Sequence, residues 1–420
     1  MTSAVPQIQR WWLDGQALQR VVADLLAAEM ALMHPGARGV PAPWPDELDL
    51  RSDLGADSLD LMGMASAMET VLHLRRPGLE EEGALLTRTG LRHWSAAARA
   101  GLDADGAALT FRTSGSSGAP KPCVHALSAL WQETDVLATL FAGRRRIVRL
   151  APAHHIYGFL LTVLLAPRLG LSQQDVVDLR GFAPGAVVRQ LQAGDLVVGF
   201  PDFWRAVAQA DCAVPADVVG VSSGAPCPDG VALGAIAAGL ARLVQVYGSS
   251  ETAGVGWRER PDAAYTLFPY WRRGADERLV RALPDGQTGS YALQDRLAWS
   301  GATQFRPVGR VDAAVQVGGV NVFPGYVAEV LKLHPAVADA SVRLMRADEG
   351  QRLKAFVVPR PGADGDVDVD VDGDALRASL AAWLAARLSA PECPAAISVG
   401  PSLPRGAGGK LTDWIIEAWL

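Results

Sequence analysis

Helical periodicity dominates the first hundred residues. Within residues 17–33 the apolar positions recur every three or four residues, which predicts an amphipathic helix. These positions are Leu18, Val21, Val22, Leu25 and Leu26. The same spacing predicts a second helix that ends near Leu72 and a third helix over residues 89–100. Residues 1–102 are therefore predicted to form a small all-α bundle.

Beyond residue 103 the pattern changes to short apolar runs, each followed by a polar or glycine-rich turn. Such runs, separated by helical segments, predict an α/β sheet whose ligand lies at the carboxyl ends of the strands. The predicted strands cover residues 108–111, 147–150, 195–200, 218–221 and 244–246. Residues 103–311 are therefore predicted to be an α/β core.

The last part of the chain, residues 312–420, combines strand and helix patterns. Strands are predicted at residues 314–322, 340–345 and 354–358, and helices at residues 325–333 and 376–388. The predicted fold is multidomain, with an all-α bundle, an α/β core and a small α+β C-terminal domain.

Composition narrows the range of functions. The 420 residues are 49% hydrophobic and 20% charged, and a formal net charge of −6 argues against nucleic acid as a partner. The four cysteines are scattered, which favours a reducing compartment without structural zinc. The longest apolar run, residues 159–166, is too short to span a membrane, and the N-terminus lacks a signal-peptide pattern. We therefore expect a cytoplasmic enzyme or carrier protein.

An acidic run near residue 368 invites comparison with a calcium loop. Asp368, Asp370, Asp372 and Gly373 match the start of an EF-hand loop, but its twelfth position is Ser379 instead of glutamate. A solvated acidic loop is therefore the preferred interpretation.

A loop rich in serine and glycine lies between the first core strand and an amphipathic helix predicted to begin near Ala126. It consists of Thr113, Ser114, Gly115, Ser116, Ser117, Gly118, Ala119, Pro120 and Lys121. Small residues let backbone N–H groups approach phosphate oxygens, and the lysine adds positive charge, so the loop suits a polyphosphate. It does not match a Walker A loop, and a plain surface turn is the alternative.

Three further turns follow core strands. The first contains His154, His155 and Tyr157; a lone histidine there is usually structural, whereas two beside an aromatic residue favour a pocket wall. The second turn contains Ser223, Gly224, Ala225 and Pro226, and the third contains Tyr247, Gly248, Ser249, Ser250 and Glu251.

The stretch Asp53-Leu-Gly-Ala-Asp57-Ser58-Leu59 resembles the acyl carrier protein family. The resemblance covers residues 15–102. It implies that a phosphopantetheinyl transferase attaches 4′-phosphopantetheine to Ser58. The acidic residues usual in the second helix of that family are reduced here to Asp60 and Glu69. A plain helix N-cap at Asp57 and Ser58, or a structural remnant of a carrier fold, is the alternative.

The four turns of the core, in this order, resemble the acyl-adenylate-forming superfamily, which includes acyl-CoA and aryl-CoA ligases. From about residue 103 onward the resemblance implies an enzyme that activates a carboxylic acid with ATP and Mg²⁺. It implies that the serine–glycine loop binds phosphate, that Glu251 holds Mg²⁺ and that His155 is catalytic. The implied ATP-binding set adds Gly224, Ala225, Pro226, Tyr247, Gly248, Ser249, Ser250, Asp295 and Arg310.

Two motifs downstream of these turns extend the resemblance. Asp295 matches a ribose-binding carboxylate and Arg310 a phosphate-pairing guanidinium, which suits the chemistry of both groups. Asp312 matches the hinge of a mobile C-terminal domain. Lys410 matches the lysine that enters the active site for adenylation, where a cation stabilises the charge that develops as pyrophosphate leaves.

The resemblance also has departures. Gln316 stands where several members have a lysine tied to thioester formation, and Tyr326 and Ala328 replace two usual glutamates. The region before the phosphate loop is short for the superfamily. The expected acid pocket contains His155, Tyr157, Ser223, Gly224, Tyr247 and Gly254, which suits an aryl acid or a fatty chain; an aryl acid is preferred.

The expected reaction forms an acyl-adenylate and then a thioester on phosphopantetheine. The acceptor is the arm of Ser58 in the preferred hypothesis, because fusion raises effective concentration, with a separate carrier protein or CoA as alternatives. Two other interpretations stay open: a non-catalytic carrier scaffold, and an adenylating enzyme whose carrier-like domain is purely structural.

Overall fold

The computed structural model describes residues 10–34, 43–73, 84–113, 121–210, 212–311, 314–346, 348–360, 373–405 and 411–416. These residues divide into two compact units. The first contains nearly all described residues up to Gly309, and the second begins at Arg310. The predicted boundary at residues 311 and 312 lies within three residues of this division.

Among its described residues the first unit contains ten α-helices and fourteen strands. The helices are α1 (Gly15–Met33), α2 (Ser58–Leu72), α3 (Ala84–Thr87), α4 (Leu91–Asp105), α5 (Leu127–Leu140), α6 (Ile156–Phe159), α7 (Leu165–Arg168), α8 (Pro184–Val188), α9 (Pro201–Gln209) and α10 (Asp229–Ala237). The strands are β1 (Ala108–Thr113), β2 (Lys121–Ala126), β3 (Arg146–Arg149), β4 (Val176–Asp178), β5 (Asp195–Gly199), β6 (Val219–Ser222), β7 (Arg242–Ser249), β8 (Ala253–Arg258), β9 (Tyr265–Leu267), β10 (Trp271–Arg273), β11 (Leu279–Ala282), β12 (Thr288–Tyr291), β13 (Asp295–Trp299) and β14 (Gln304–Arg310).

A nine-stranded sheet forms the centre of this unit. Its strand order is β13-β14-β9-β8-β7-β6-β5-β3-β4, and the five strands from β7 to β4 are parallel. Every residue of β5 and β6 is buried, as expected for parallel strands covered on both faces. Gly220 in β6 leaves room for the indole of Trp204, since a Cβ there would lie 2.6 Å from the ring. The predicted α/β core is confirmed.

The three helices predicted near the N-terminus are present as α1, α2 and α4. Asp57 caps α2, because its carboxylate accepts hydrogen bonds from the backbone N–H groups of Leu59 (2.7 Å) and Asp60 (2.9 Å). The Asp60 carboxylate accepts in return from the Asp57 backbone N–H at 2.9 Å, which completes a capping box. The N-cap interpretation of Asp57 therefore describes the local geometry.

A buried ion network joins α1 to the central sheet. Asp24 accepts hydrogen bonds from Arg149 (2.7 Å), Arg180 (2.7 Å) and the backbone N–H of Ala153 (2.6 Å). Asp178 also pairs with both arginines. Burial alone would raise the pKa of Asp24, but the two guanidinium groups and their hydrogen bonds outweigh it and hold that pKa below its usual value.

Aromatic contacts strengthen the same junction. Trp11, just before α1, lies edge-on to Phe159 at 5.0 Å between ring centroids, and Phe111 of β1 lies 5.6 Å from Phe159. The N-terminal helices therefore share one hydrophobic core with the sheet. Consequently, the predicted boundary at residue 102 does not coincide with a division between compact units.

The serine–glycine loop has a different setting from the predicted one. It connects β1 to an antiparallel partner, β2, in which Thr113 pairs with Lys121, and helix α5 begins only at Leu127. The loop therefore lies between two strands instead of between a strand and a helix. Its residues 114–120 lie outside the described part of the chain.

The second unit is an α+β arrangement, as predicted. Its elements are β15 (Val315–Val317), β16 (Val320–Val322), α11 (Pro324–Lys332), β17 (Val337–Leu344), β18 (Leu353–Pro359), α12 (Gly373–Ala385) and β19 (Ala396–Val399). Strand β18 pairs antiparallel with β17 and parallel with β19. The predicted strand 314–322 is a hairpin, because Gly318 and Gly319 both adopt positive φ, +56° and +81°, in a tight turn.

A membrane-crossing helix is not found among the described residues, since none combines the necessary length with the necessary apolar character.

Removing the Asp24 carboxylate should destabilise the whole first unit, because it leaves two buried or largely buried arginines with Asp178 as their one remaining carboxylate and leaves the Ala153 N–H without its acceptor. We expect Asp24→Ala to lower the free energy of unfolding by about 3–5 kcal/mol, measured by chemical denaturation. The matched control is Arg92→Ala, which breaks an exposed pair with Glu47 and should change that free energy by less than about 1 kcal/mol. Equal losses in the two variants would contradict a structural role for the buried network.

Candidate active site

The carboxyl ends of β3, β5, β6 and β7 meet at one edge of the sheet. These four strands are consecutive neighbours and parallel, so the turns that follow them lie side by side. The edge therefore brings together the histidine turn, the turn after β6 and the turn after β7, as the sequence predicted for an α/β ligand site.

The two histidines stand beside each other after β3. The rings of His154 and His155 are 4.2 Å apart between centroids. His155 is exposed to solvent, although many protein atoms surround its imidazole. Burial lowers the pKa of both rings, and for His154 the neighbouring His155 lowers it further, so both are neutral at pH 7.

Tyr157 connects the ends of two strands. Its hydroxyl lies 2.8 Å from the carbonyl oxygen of Gly199 and 3.0 Å from that of Val221, and it donates its single proton toward these two acceptors. Glycine is required at residue 158, because a Cβ there would lie 2.0 Å from the carbonyl oxygen of Pro152. Burial raises the pKa of Tyr157 well above its ordinary value, so the phenol stays neutral.

The turn after β6 leaves open space at the same edge. Gly224 adopts a positive φ of +82°, and no atom lies within 4 Å of the position a Cβ would take. Ser223 and Ala225 are half-buried on either side, and Pro226 is exposed. These small residues allow a ligand to approach the backbone.

Tyr247 and Asp295, predicted separately as nucleotide-binding residues, are in direct contact. The Tyr247 hydroxyl donates to Oδ2 of Asp295 at 2.8 Å, which joins β7 to β13. The Tyr247 ring also packs against Phe305 at 5.3 Å between centroids. Both residues are half-buried, so the carboxylate remains accessible at the edge of an aromatic cluster.

The turn after β7 carries Glu251, which is half-buried. Gly248 is required before it, because a Cβ would lie 2.2 Å from the carbonyl oxygen of Ala253. Ala253 itself has a positive φ of 58°, an uncommon conformation for a residue with a side chain. The Ser249 and Thr252 hydroxyls lie 3.1 Å apart and close the turn. Gly254, predicted to line the acid pocket, is buried and faces Glu133 and Phe268.

Sequence reasoning missed three buried polar residues that contact this turn. They are His125 of β2, Glu133 of α5 and Arg281 of β11, all less than a tenth exposed. They are distant in sequence from residues 250–254. The available signal was Glu133, a charged residue in register with the buried Leu130 and Leu137 of an amphipathic helix.

The residues of this site fit magnesium bound to a nucleotide. Within the described ranges, no group of three or more His, Cys, Asp or Glu side chains is arranged to hold a metal ion. Glu251 offers one half-buried carboxylate, which suits Mg²⁺ because that ion commonly takes one or two protein carboxylates and completes its shell with phosphates and water.

The predicted residues of the second unit lie on other elements. Arg310 is the last residue of β14. On the β15–β16 hairpin, the Gln316 amide nitrogen donates to Asn321 at 2.6 Å. On α11, Tyr326 is half-buried and Ala328 is buried. The predicted hinge residue Asp312 lies outside the described residues.

Lys410 also lies outside the described residues, but the chain on both sides of it is anchored. Arg405 and Leu411 form an antiparallel bridge, and the backbone N–H of Thr412 donates to the carbonyl of Pro404 at 2.9 Å. The segment that follows Lys410 is thus held against the segment that precedes it.

Asp413 fastens that segment to the second unit. It accepts from Arg346 (2.7 Å) and Arg343 (3.1 Å) and pairs with Lys354 (2.9 Å), whose ammonium is fully buried and also donates to the carbonyl of Trp414. Burial alone would raise the pKa of Asp413, but hydrogen bonds from Lys354 and Arg343 hold it far below its usual range.

The chain matches known families over most of its length. The family model described as AMP-binding enzyme matches residues 29–270, and that of the AMP-binding enzyme C-terminal domain matches residues 326–410. The first match begins within the region predicted to be carrier-like.

Two relatives are named 4-coumarate–CoA ligase. That of Halorhodospira halophila is 36% identical, over 95% of this chain and 99% of the relative. That of Cereibacter sphaeroides is 37% identical, over 96% of this chain and 97% of the relative. Since both matches take in nearly all of this chain, they include most of residues 1–102.

A solved structure shares the fold. The amide bond synthetase McbA from Marinactinospora thermotolerans is similar with a TM-score of 0.59 and 20% identity, over 94% of this chain and 92% of that chain. The family models and the two ligase relatives confirm the prediction of an AMP-forming acid–thiol ligase. The chain belongs to the family of AMP-binding enzymes.

Proposed function

We propose that this protein activates an aryl carboxylic acid with ATP and transfers the acyl group to coenzyme A. The observation that carries the proposal is the meeting of the His155 turn, the Glu251 turn and the Tyr247–Asp295 pair at one edge of the sheet. The likeness to two proteins named 4-coumarate–CoA ligase supports both an aromatic acid and CoA.

In this proposal His155 orients the acid without neutralising it. Because burial keeps its imidazole uncharged at pH 7, His155 can contact the acid through a hydrogen bond while the carboxylate retains its negative charge. A carboxylate that keeps its charge is the better nucleophile toward the α-phosphate of ATP. The carboxylate and ATP then yield an acyl-adenylate and pyrophosphate.

Asp295 and Glu251 hold the nucleotide in different ways. Asp295 accepts from the Tyr247 hydroxyl through Oδ2, and its remaining acceptor capacity suits the ribose hydroxyls. Glu251 would hold Mg²⁺, which when bound offsets negative charge on the phosphates. Lys121 and the serine–glycine loop bind the phosphates, Arg310 pairs with phosphate, and Lys410 supplies a second cation during adenylation.

The thiol of CoA then attacks the acyl carbon, forming a thioester and releasing AMP. The first unit supports CoA as the acceptor, because the helices that carry Ser58 share their core with the sheet and are included in both full-length relatives. Gln316, in place of the lysine of several family members, binds Asn321 on its own hairpin and would leave the thiol to attack without a cation at that position.

A second candidate acceptor is an arm on Ser58, and one observation favours it. Ser58 is exposed at the first turn of α2, and the apolar side chains of Leu59 and Met62 next to it are 74% and 56% exposed. An exposed serine beside exposed apolar residues suits recognition by a modifying enzyme.

Substrate choice tests the proposed function directly. With a panel of aryl and fatty acids, we expect acid-dependent pyrophosphate release and CoA thioester formation, with kcat/KM for the best aryl acid at least roughly tenfold above that of any fatty acid. A preference for fatty acids would make the substrate class wrong. Pyrophosphate release with none of the acids would make the function wrong.

Glu251→Gln should lower the rate of pyrophosphate release by about 100-fold, because a neutral amide is a poorer ligand for Mg²⁺. The control is Glu259→Gln, which removes a carboxylate paired with Arg242 away from the turn and should leave the rate within about threefold of the wild-type value. An unchanged rate in Glu251→Gln excludes it as the magnesium ligand.

Intact-mass measurement distinguishes the two candidate acceptors, CoA and an arm on Ser58. After coexpression with a phosphopantetheinyl transferase, we expect the intact mass of the wild type to match that of the unmodified chain and Ser58→Ala to form CoA thioester at the wild-type rate. A mass gain that disappears in Ser58→Ala would instead establish the arm on Ser58 and replace CoA as the proposed acceptor.

A further inference from the structure

The backbone that carries Glu251 is held from outside by groups of four distant segments. The contacted backbone groups belong to Ser250, Thr252 and Gly254, so they alternate along the turn. Glu251 lies between the first two of them. The backbone on both sides of Glu251 is therefore held by the protein, while the Glu251 side chain itself is only half-buried.

His125 of β2 holds the start of the turn. Its Nε2–H donates to the carbonyl oxygen of Ser250 at 2.6 Å, and the ring is 6% exposed. Burial lowers its pKa, so the ring is neutral near pH 7. Because His125 is four residues beyond Lys121 on the same strand, it connects the exit of the serine–glycine loop to the Glu251 turn.

Glu133 of α5 holds the end of the turn. The backbone N–H of Gly254 donates to both carboxylate oxygens, at 2.9 and 3.0 Å. A Cβ at residue 254 would lie 2.3 Å from Oε1 of Glu133, so glycine is required for this approach. The carbonyl of Gly254 accepts from the Trp271 indole N–H at 2.8 Å.

Arg281 of β11 holds the middle of the turn and also contacts α5. Its guanidinium donates to the carbonyl oxygens of Thr252 (3.4 Å) and Ala129 (2.6 Å), and it lies 4.4 Å from the ring centroid of Tyr270. Its positive charge attracts Glu133. Glu133 and Arg281 are both almost completely buried, so their charges act on each other with little screening although they form no direct ion pair.

We propose that Glu133 is a positioning residue for the magnesium–ATP site, acting through the backbone of residues 250–254. Together with Arg281 and His125 it fixes the direction in which the Glu251 carboxylate points. The inference rests on the proposed function, because it takes Glu251 as the magnesium ligand.

How strongly Glu133 holds the turn depends on whether its carboxylate is ionised. Burial raises the pKa of Glu133 to about 7, although the charge of Arg281 and the N–H of Gly254 counteract it. The groups acting on it are Arg281 and Tyr270, and burial keeps the Tyr270 phenol neutral. Above pH 7 the carboxylate accepts with both oxygens and attracts Arg281; below it, protonation removes that attraction. Magnesium–ATP should therefore bind more tightly as the pH rises through 7.

The test compares Glu133→Gln with Thr134→Val. Glutamine preserves the shape of the side chain and removes its charge. Thr134 is equally buried on the same helix, but its hydroxyl donates to the carbonyl of Leu130 in its own helix, so its variant controls for general loss of packing.

Two measurements on the full chain supply the readouts. We expect titration calorimetry near pH 8 to give a Kd for magnesium–ATP roughly tenfold weaker in Glu133→Gln and nearly unchanged in Thr134→Val. Between about pH 6 and 8 the wild-type Kd should decrease more than the Kd of Glu133→Gln. The ionisation of ATP contributes equally to both proteins, so the difference reports the ionisation of Glu133. Hydrogen exchange at the Gly254 amide should be at least roughly tenfold faster in Glu133→Gln.

The possible results separate the positioning role of Glu133 from the proposed function. An unchanged Kd, an equal loss in Thr134→Val, or the same pH dependence in both proteins overturns the positioning role. If wild type binds magnesium–ATP but activates none of the acids, the proposed function fails while this inference stands; absence of binding overturns both. Should Glu133→Gln not fold, His125→Leu removes the donor to Ser250 and is expected to weaken Kd while keeping the wild-type pH dependence.

Discussion

The buried network around Asp24 is the interaction on which the rest of the first unit depends. Charges in the interior are stable only when each has a partner. Here Asp24 of α1, Arg149 of β3, Asp178 of β4 and Arg180 just after β4 satisfy one another. The same carboxylate also holds the backbone N–H of Ala153, two residues before His155. The first helix of the chain therefore stabilises the turn that carries the candidate acid-binding histidine.

This arrangement explains how a short chain can build the site. Helices α1, α2 and α4 fold as a compact helical group with their own capping box, yet their apolar faces continue into the core of the sheet. Separating these helices from the sheet would expose their shared core to water, which is costly in free energy. A structural role in the ligase is thus sufficient to account for the presence of these helices.

The turn after β7, at the same edge of the sheet, is also held by buried charged side chains. Two buried charged residues, Glu133 and Arg281, each hold backbone groups of the turn. The chain uses glycine at residues 248 and 254, where a side chain would collide with its neighbours. Two buried ionic clusters therefore fix two turns of one candidate active site. Both place buried protein groups behind the backbone of a turn that carries a candidate site residue.

The sequence by itself determined the α/β core, the small C-terminal domain, the order of the turns and the family. These follow from local periodicity and from motifs such as Tyr247–Glu251, whose residues are contiguous. Tertiary structure alone decided three other matters: the union of residues 15–102 with the core, the β1–β2 hairpin around the serine–glycine loop, and the roles of Asp24, Glu133 and Arg281. The reason is physical, because burial and charge pairing join residues more than a hundred positions apart, and no local pattern in the chain specifies the partner of a buried charge.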